Sequence, residues 1–303
     1  MEELEFLTNI LQKHPLDSLR KISKEERVDY YKLKRLYDKY YGKHVTVSAI
    51  YNPRKLGLKS YVTFLSVPSD SILEVAKKMS SNPYVSYLNP AFGFKNGLTA
   101  FMAVPKDQVN LIDEFLSRYS DDYEWYEMQP YSYSIDDSED GGWKFSYDYA
   151  ILMDILKEDA RTPISEIANK LGKTGPTVRY MIERLKKEGV ILAFEAVVDM
   201  TTHDRGVIGI TRELKEEVIQ KFQDYEMLIA VLPGHGYMIE WYFSSSEDLG
   251  LKVMEFSRYV DKLLIEYFDE TFKKMNDERM KRRFRMIVKK DGSGYRSLLD
   301  FMG

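Results

Sequence analysis

The sequence predicts an α+β chain in which one arrangement occurs twice: three short helices, then strands and helices in the order β-α-β-β-α-β. Two observations predict it. An acidic stretch from Ser132 to Gly142 (SYSIDDSEDGG) ends in Gly-Gly and divides 303 residues into halves of similar length, each long enough for its own core. The apolar positions of the first half also recur in the second at a fixed spacing.

That spacing is 145 residues. Phe6, Leu7, Ile10 and Leu11 fall on Ile151, Leu152, Ile155 and Leu156, and Leu19 and Ile22 fall on Ile164 and Ile167. Leu33, Leu36, Tyr37 and Val45 fall on Val178, Met181, Ile182 and Val190. Beyond Val45 the offset becomes 147, so that Ala49-Ile50-Tyr51-Asn52 meets Ala196-Val197-Val198-Asp199. These are the core faces of three successive helical patterns and a strand, which composition alone does not align.

The second copy is the clearer. Tyr149 to Lys157 places apolar residues at 151, 152, 155 and 156, one face of a helix. Asp159 to Pro163 breaks it, and Thr162 and Pro163 suit the cap and first turn of a helix running to Leu171. Gly172 ends that helix, Thr174 caps a third from Gly175 to Glu188, and Gly189 stops it. Residues 190–194 and 195–199 then read as a short hairpin. Three helices and a hairpin make the winged helix-turn-helix pattern.

After each such unit comes the β-α-β-β-α-β order of the ferredoxin-like arrangement. In the first half, strands are expected at 61–65, 84–88, 98–104 and 123–128, with helices at 69–80 and 106–119. In the second, strands are expected at 207–211, 228–232, 237–244 and 263–268, with helices at 213–225 and 248–260. The domains read 1–52 and 146–199 as winged units, 53–131 and 200–272 as ferredoxin-like units, 132–145 as linker and 273–303 as a basic extension. The two ferredoxin-like units are expected to pack sheet against sheet as a pseudo-dimer within one chain.

Composition narrows the function classes. The chain holds no cysteine, which excludes disulfides, thiolate metal sites and thiol catalysis. The four histidines are scattered without ligand spacing, so no metal site is expected. The acidic N-terminus and the lack of a long apolar run point to a cytoplasmic protein with no membrane partner. The net charge of −4 hides segregation. Residues 119–143 hold eight acidic and no basic residues; residues 20–43 hold nine basic against four acidic, and residues 273–290 nine against two. Such basic segments suit a polyanion.

Residues 159–172, the segments Thr177-Val178-Arg179 and Leu185 to Ile191, and Ala49 to Leu58 resemble the Lrp/AsnC transcription factors. In that family one chain carries one winged unit and one ferredoxin-like effector domain, and chains dimerise; the resemblance therefore implies a covalently fused dimer that binds double-stranded DNA, alone or as a homodimer. It implies no cofactor. The family's effector loop holds a Gly-Asp pair, whereas this chain has Gly234-His235-Gly236 there, so free amino acids are not the expected effector.

Within helix 175–188 the apolar positions leave Pro176, Thr177, Arg179 and Tyr180 outward. With Lys173 and Thr174 at its start, they form the expected DNA-reading surface. Lys32, Lys34 and Arg35 lie off the apolar face of the corresponding first-half helix and suit phosphates. Lys281, Arg282, Arg283 and Arg285 form a dense basic tail with the same prospect. Gly172-Lys173-Thr174 lacks the earlier glycine of a phosphate-binding loop, and Gly234-His235-Gly236 lacks the dinucleotide pattern. A non-enzymatic regulator is the expectation. The alternatives are a haem-precursor decarboxylase of related architecture, with His235 and Arg212 or Arg205 at a tetrapyrrole carboxylate pocket, and a scaffold that binds no DNA.

Overall fold

The computed structural model describes residues 2–131, 141–198, 203–243, 249–280 and 283–301. Helices form where apolar residues recur every three or four positions, and strands where they alternate. The first half gives α1 (Glu2–Lys13), α2 (Leu19–Glu25), α3 (Tyr30–Tyr40), β1 (Val45–Tyr51), β2 (Leu58–Ser66), α4 (Ile72–Ser80), β3 (Val85–Gly93), β4 (Gly97–Pro105), α5 (Ile112–Leu116) and β5 (Tyr123–Pro130). The second gives α6 (Tyr147–Glu158), α7 (Ile164–Leu171), α8 (Gly175–Lys187), β6 (Ile191–Val198), β7 (Arg205–Thr211), α9 (Glu216–Phe222), β8 (Met227–Leu232), β9 (Gly236–Phe243), α10 (Leu249–Phe256) and β10 (Lys262–Tyr267). Two further helices follow, α11 (Glu270–Met280) and α12 (Arg283–Ile287). No helix among the described residues is long and apolar enough to cross a membrane.

The chain forms two compact units. One comprises Met1–Leu56, Trp143–Met200 and Phe284–Gly294; the other comprises Gly57–Gly142, Thr201–Arg283 and Tyr295–Gly303. In the first unit the helices start at 2 and 147, 19 and 164, 30 and 175, a constant offset of 145. Leu7, Leu11, Ile22 and Leu33 are fully buried in the first three helices, and Leu152, Ile167, Val178 and Leu185 in α6, α7 and α8.

The expected hairpin at 190–199 does not form. Residues 191–198 make one continuous strand, β6, which pairs antiparallel with β1, Val45 opposite Val198 and Ala49 opposite Phe194. A hairpin of two five-residue strands satisfies few ladder bonds; the longer cross-copy ribbon satisfies more and buries Val45, Val47 and Ala49. The start of α7 also differs. Pro163 occupies the cap position without a side-chain bond, while Thr162 donates its hydroxyl to the Asp159 carbonyl (2.7 Å).

The second unit is a closed eight-stranded barrel, in the order β10-β3-β4-β2-β5-β8-β9-β7. Each half contributes four consecutive strands of this order, with the same internal pairing. The two sets of strands do not stack face to face as expected. They join edge to edge: Gln129 and Pro130 pair with Val231 and Ala230, and Leu264 to Glu266 pair with Gly93 to Ala91. Closure removes the open sheet edges that stacked sheets would leave. Alternate residues point inward, and Val62, Phe64, Ile208, Ile210, Met238 and Leu264 fill the interior. On the outside of the second half, Trp241 and Phe243 pack under Phe222 of α9 and Phe256 of α10.

Candidate functional site

Two places gather the residues singled out above. The first is the start of α8. Gly172 closes α7 in the left-handed region (φ 62°), where a side chain would meet nothing but would strain the backbone. Thr174 then caps α8: its Oγ1 accepts from the Thr177 amide (3.4 Å) and lies 2.8 Å from the Thr177 hydroxyl. Val178, Met181, Ile182 and Leu185 are buried and fix the helix against its unit. Lys173, Thr174, Pro176, Thr177, Arg179 and Tyr180 are all exposed, so the predicted surface is a single face at the N-terminus of one helix. The Arg179 guanidinium has no ion pair among the described residues. Lys173 does have one, with Asp148 at 2.9 Å.

The equivalent surface of α3 is more neutralised. Lys34 pairs with Asp38, Arg35 lies 4.0 Å from Glu3, and the Lys32 ammonium sits over the Phe6 ring at 5.6 Å. Tyr37 stacks on Tyr41 at 4.3 Å, while Tyr31 is exposed. The basic tail divides. Lys281 and Arg282 lie outside the described residues, and Arg283 begins α12 half-buried. Arg285 is not free for phosphate: its Nε donates to the fully buried Asp154 carboxylate at 2.8 Å. Asp154 also accepts the amides of Phe284 and Arg285. Burial raises the Asp154 carboxyl above its ordinary range despite these bonds, so removing Arg285 would strand a buried acid.

The second place is a pocket of about 690 Å³ in the barrel unit. The 232–236 turn forms one wall, held by the His235 amide on the Leu232 carbonyl (2.8 Å). At Gly236 (φ 100°) a Cβ would lie 2.2 Å from the Thr211 carbonyl oxygen, so only glycine lets the turn approach β7. Gly234, His235, Gly236 and Arg212 line the pocket, together with Tyr126, Ile210, Asp261 and Lys262. Arg205 is not among them; it lies at the other end of β7, over the Tyr267 ring.

The pocket's charges are unevenly satisfied. Lys262 donates to Glu124 and to the Tyr126 hydroxyl (3.1 Å), and Tyr126 donates to Glu124 (2.6 Å). Burial works to raise the Glu124 carboxyl; the bonds from Lys262 and Tyr126 outweigh it and hold the carboxyl below its ordinary range. The Arg212 guanidinium has no partner among the described residues, while its amide donates to Asp261 (3.0 Å). The His235 ring stands edge-on to Tyr126, centroids 5.0 Å apart. A free guanidinium, an imidazole and an aromatic wall suit an aromatic or conjugated carboxylate. Sequence reading missed Tyr126, Glu124 and Lys262. Their signal was a charged or hydroxylated residue at the inward parity of an otherwise apolar strand pattern.

The same signal marks a second interior feature. Glu240 and Glu266 are buried inside the barrel, and the Asn89 amide donates to Glu266 (3.2 Å). Burial pushes both carboxyls up, Glu266 well up, and the two interact directly.

A family described as winged helix-turn-helix DNA-binding matches residues 146–191, that is α6, α7, α8 and the entry to β6. The regulatory protein AsnC of Haemophilus influenzae is 29% identical over 36% of this chain and 70% of its own length. The HTH-type transcriptional regulator LrpA of Pyrococcus horikoshii is 28% identical over 34% of this chain and 70% of its own. Over about a third of its length the chain is similar to the Lrp/AsnC regulators. Over almost its whole length the fold resembles a solved structure, the siroheme decarboxylase NirDL, with a TM-score of 0.62, 18% identity, and coverage of 92% of this chain and 98% of that one. The Lrp/AsnC relatives thus match about a third of the sequence, while the NirDL likeness describes the fold of the rest.

Proposed function

We propose that this chain is a cytoplasmic, sequence-specific DNA-binding regulator of Lrp/AsnC type, acting as a covalently fused dimer. Its halves are internal duplicates, each a winged helix-turn-helix followed by a ferredoxin-like unit. The observation that carries the reading is the start of α8: capped by Thr174, with Pro176, Thr177 and Tyr180 exposed, and bearing an exposed, partner-free Arg179 within the segment that matches the winged DNA-binding family. On such a turn, side chains meet base edges while amides and lysines meet phosphates. The pocket beside His235 serves as the effector site, with the Arg212 guanidinium taking a carboxylate. Selection of bound fragments from genomic DNA, followed by anisotropy with wild type and Arg179→Ala, tests the reading. Specific binding lost in the variant supports it; equal affinity for all duplexes refutes it.

A second reading is favoured by one observation: the pocket holds His235 and Arg212 in a fold resembling NirDL, a siroheme decarboxylase. In that reading Arg212 holds a propionate or acetate side chain and His235 supplies a proton at the decarboxylated carbon. Absorbance titration with siroheme separates the two. A spectral shift lost in His235→Ala, with mass loss of carbon dioxide from the ligand, favours the enzyme.

A further inference from the structure

The turn between α1 and α2 brings together residues that the sequence keeps apart. His14 follows the last residue of α1, Asp17 lies in the turn, and Glu25 and Glu26 lie at the end of α2. Their side chains converge. His14 Nδ1 is 3.2 Å from Asp17 Oδ2 and 3.5 Å from Glu25 Oε2, and the three ligand atoms lie within 4.8 Å of one another. Bond lengths of about 2.0–2.2 Å to nitrogen and oxygen place adjacent ligands about 3.0 Å apart in octahedral and about 3.3 Å apart in tetrahedral coordination. The observed separations from Nδ1, 3.2 and 3.5 Å, are close to that spacing.

The surroundings orient these donors. His14 Nε2 is 2.8 Å from Glu26 Oε1, which fixes the ring plane and directs Nδ1 at the two remaining carboxylates; a carboxylate behind the imidazole is the partner that metal-ligating histidines carry. Lys21 holds Asp17 Oδ1 at 2.9 Å and lies 3.8 Å from Glu25 Oε1, leaving Oδ2 and Oε2 to face the ring. The turn itself is braced within the same unit: the Arg161 guanidinium donates to the carbonyls of His14 (3.3 Å), Pro15 (2.8 Å) and Asp17 (2.7 Å). A neutral Nδ1 lone pair facing two carboxylates is repulsive, so the site calls for a proton or a cation between them.

We infer that His14 Nδ1, Asp17 Oδ2 and Glu25 Oε2 form a binding site for a divalent transition-metal ion, with Glu26 positioning the imidazole and water completing the coordination. One nitrogen and two carboxylate oxygens select an ion such as Zn²⁺ or Mn²⁺ over Mg²⁺ and Ca²⁺, which favour oxygen alone. The bound ion ties the ends of α1 and α2 together beneath the Arg161 brace. This inference is independent of whether the chain binds DNA.

The test uses the full chain, stripped with a chelator and titrated calorimetrically with ZnCl₂, MnCl₂ and MgCl₂ in separate runs. One Zn²⁺ or Mn²⁺ per chain is expected at micromolar concentration, with Mg²⁺ at least tenfold weaker. Glu25→Gln, the most exposed of the three ligands, keeps the fold and loses binding. Glu26→Gln weakens binding about 10–100-fold without removing a ligand. Co²⁺ gives a visible ligand-field spectrum in wild type that His14→Ala abolishes. Absence of saturable binding below about 100 μM, equal binding by Glu25→Gln, or equal affinity for Mg²⁺ overturns the assignment.

Discussion

The two halves of this chain bury apolar residues at matching places in their first three helices, 145 residues apart, and spend their polar residues differently. The turn before α3 and the turn before α8 each hold a residue in the left-handed region. Position 172 supplies glycine (φ 62°), whereas position 27, 145 residues earlier, holds Arg27 at φ 53°. Arg161 braces the 14–17 turn, while the residue 145 earlier is Leu16, exposed. In the barrel, Phe64 is opposite Thr99 and Glu124, and Ile210 is opposite Met238 and Lys262. Two residues on from Thr99 and Met238, Phe101 in the first half corresponds to Glu240 in the second; four residues on from Glu124 and Lys262, Met128 corresponds to Glu266. A shared apolar frame fixes the architecture, and the polar positions are left to diverge. The second half concentrates the distinctive groups: the free Arg179, the Arg161 brace and the buried carboxyl pair.

The comparison breaks first at Arg161. Arg161→Ala removes bonds to three carbonyls and the cation over Tyr37, and is expected to cost about 3 kcal/mol, read as a drop in the urea midpoint. Leu16→Ala, at the corresponding place, should change stability by less than about 0.5 kcal/mol. An equal loss at both positions would erase the asymmetry.

On DNA, Arg179→Ala should cost about 1–3 kcal/mol of affinity and relax sequence discrimination, with the melting temperature unchanged. Lys32→Ala with Arg35→Ala should weaken all duplexes alike and flatten the salt dependence, because phosphate contacts release counterions. Anisotropy over a salt series on specific and scrambled duplexes reads both. If the first-half variant also changes discrimination, the two helices read bases equally.

A pH series sharpens the barrel comparison. Burial raises the carboxyls of Glu240 and Glu266, so the folded chain holds protons there that the unfolded chain has released. Stability from this pair is therefore present below the ordinary carboxylate range and is lost as pH rises through the shifted values. Glu266→Gln should flatten the fall in melting temperature over the pH window above the ordinary carboxylate range. Met128→Leu, at the corresponding first-half position, should leave that slope as it is. An unchanged slope in Glu266→Gln would show that the pair does not titrate within this window.

The smallest effect concerns the two turns. Gly172→Ala should destabilise by about 1 kcal/mol through backbone strain alone, since its Cβ would touch nothing. Arg27→Gly should be neutral to stabilising by less than about 1 kcal/mol, as released strain offsets added chain entropy. Thermal melts of the pair decide the sign.

The helices and the cap of α8 were legible because each rests on local rules: apolar spacing, Thr174 before the helix, Gly172 after the one preceding it. The partner of β1 was not. Alternation marks residues 45–51 and 191–198 as strands, but nothing local says which edge each meets, and the residues between them number well over a hundred. Barrel closure was hidden for the same reason. His14 was passed over because its companions stand three, eleven and twelve residues away across a turn, a spacing no motif records. At the pocket, His235 and Arg212 were legible from the glycine turn; Tyr126 and Glu124 arrive from the other half and become neighbours only once the barrel closes.

The ribbon of β1 and β6 sets an order of events during synthesis. At about 5–20 residues per second, β1 leaves the ribosome roughly ten seconds or more before its partner exists. Throughout that interval the nascent chain carries an unpaired edge whose partner β6 is still untranslated, and closing so long a loop is slow. A chain stopped within the acidic linker would keep that edge permanently open, and the strand of a second truncated copy is then its nearest substitute. Fragments ending near residue 140 are thus expected to pair with one another, and the full-length chain escapes that fate by carrying its own mate.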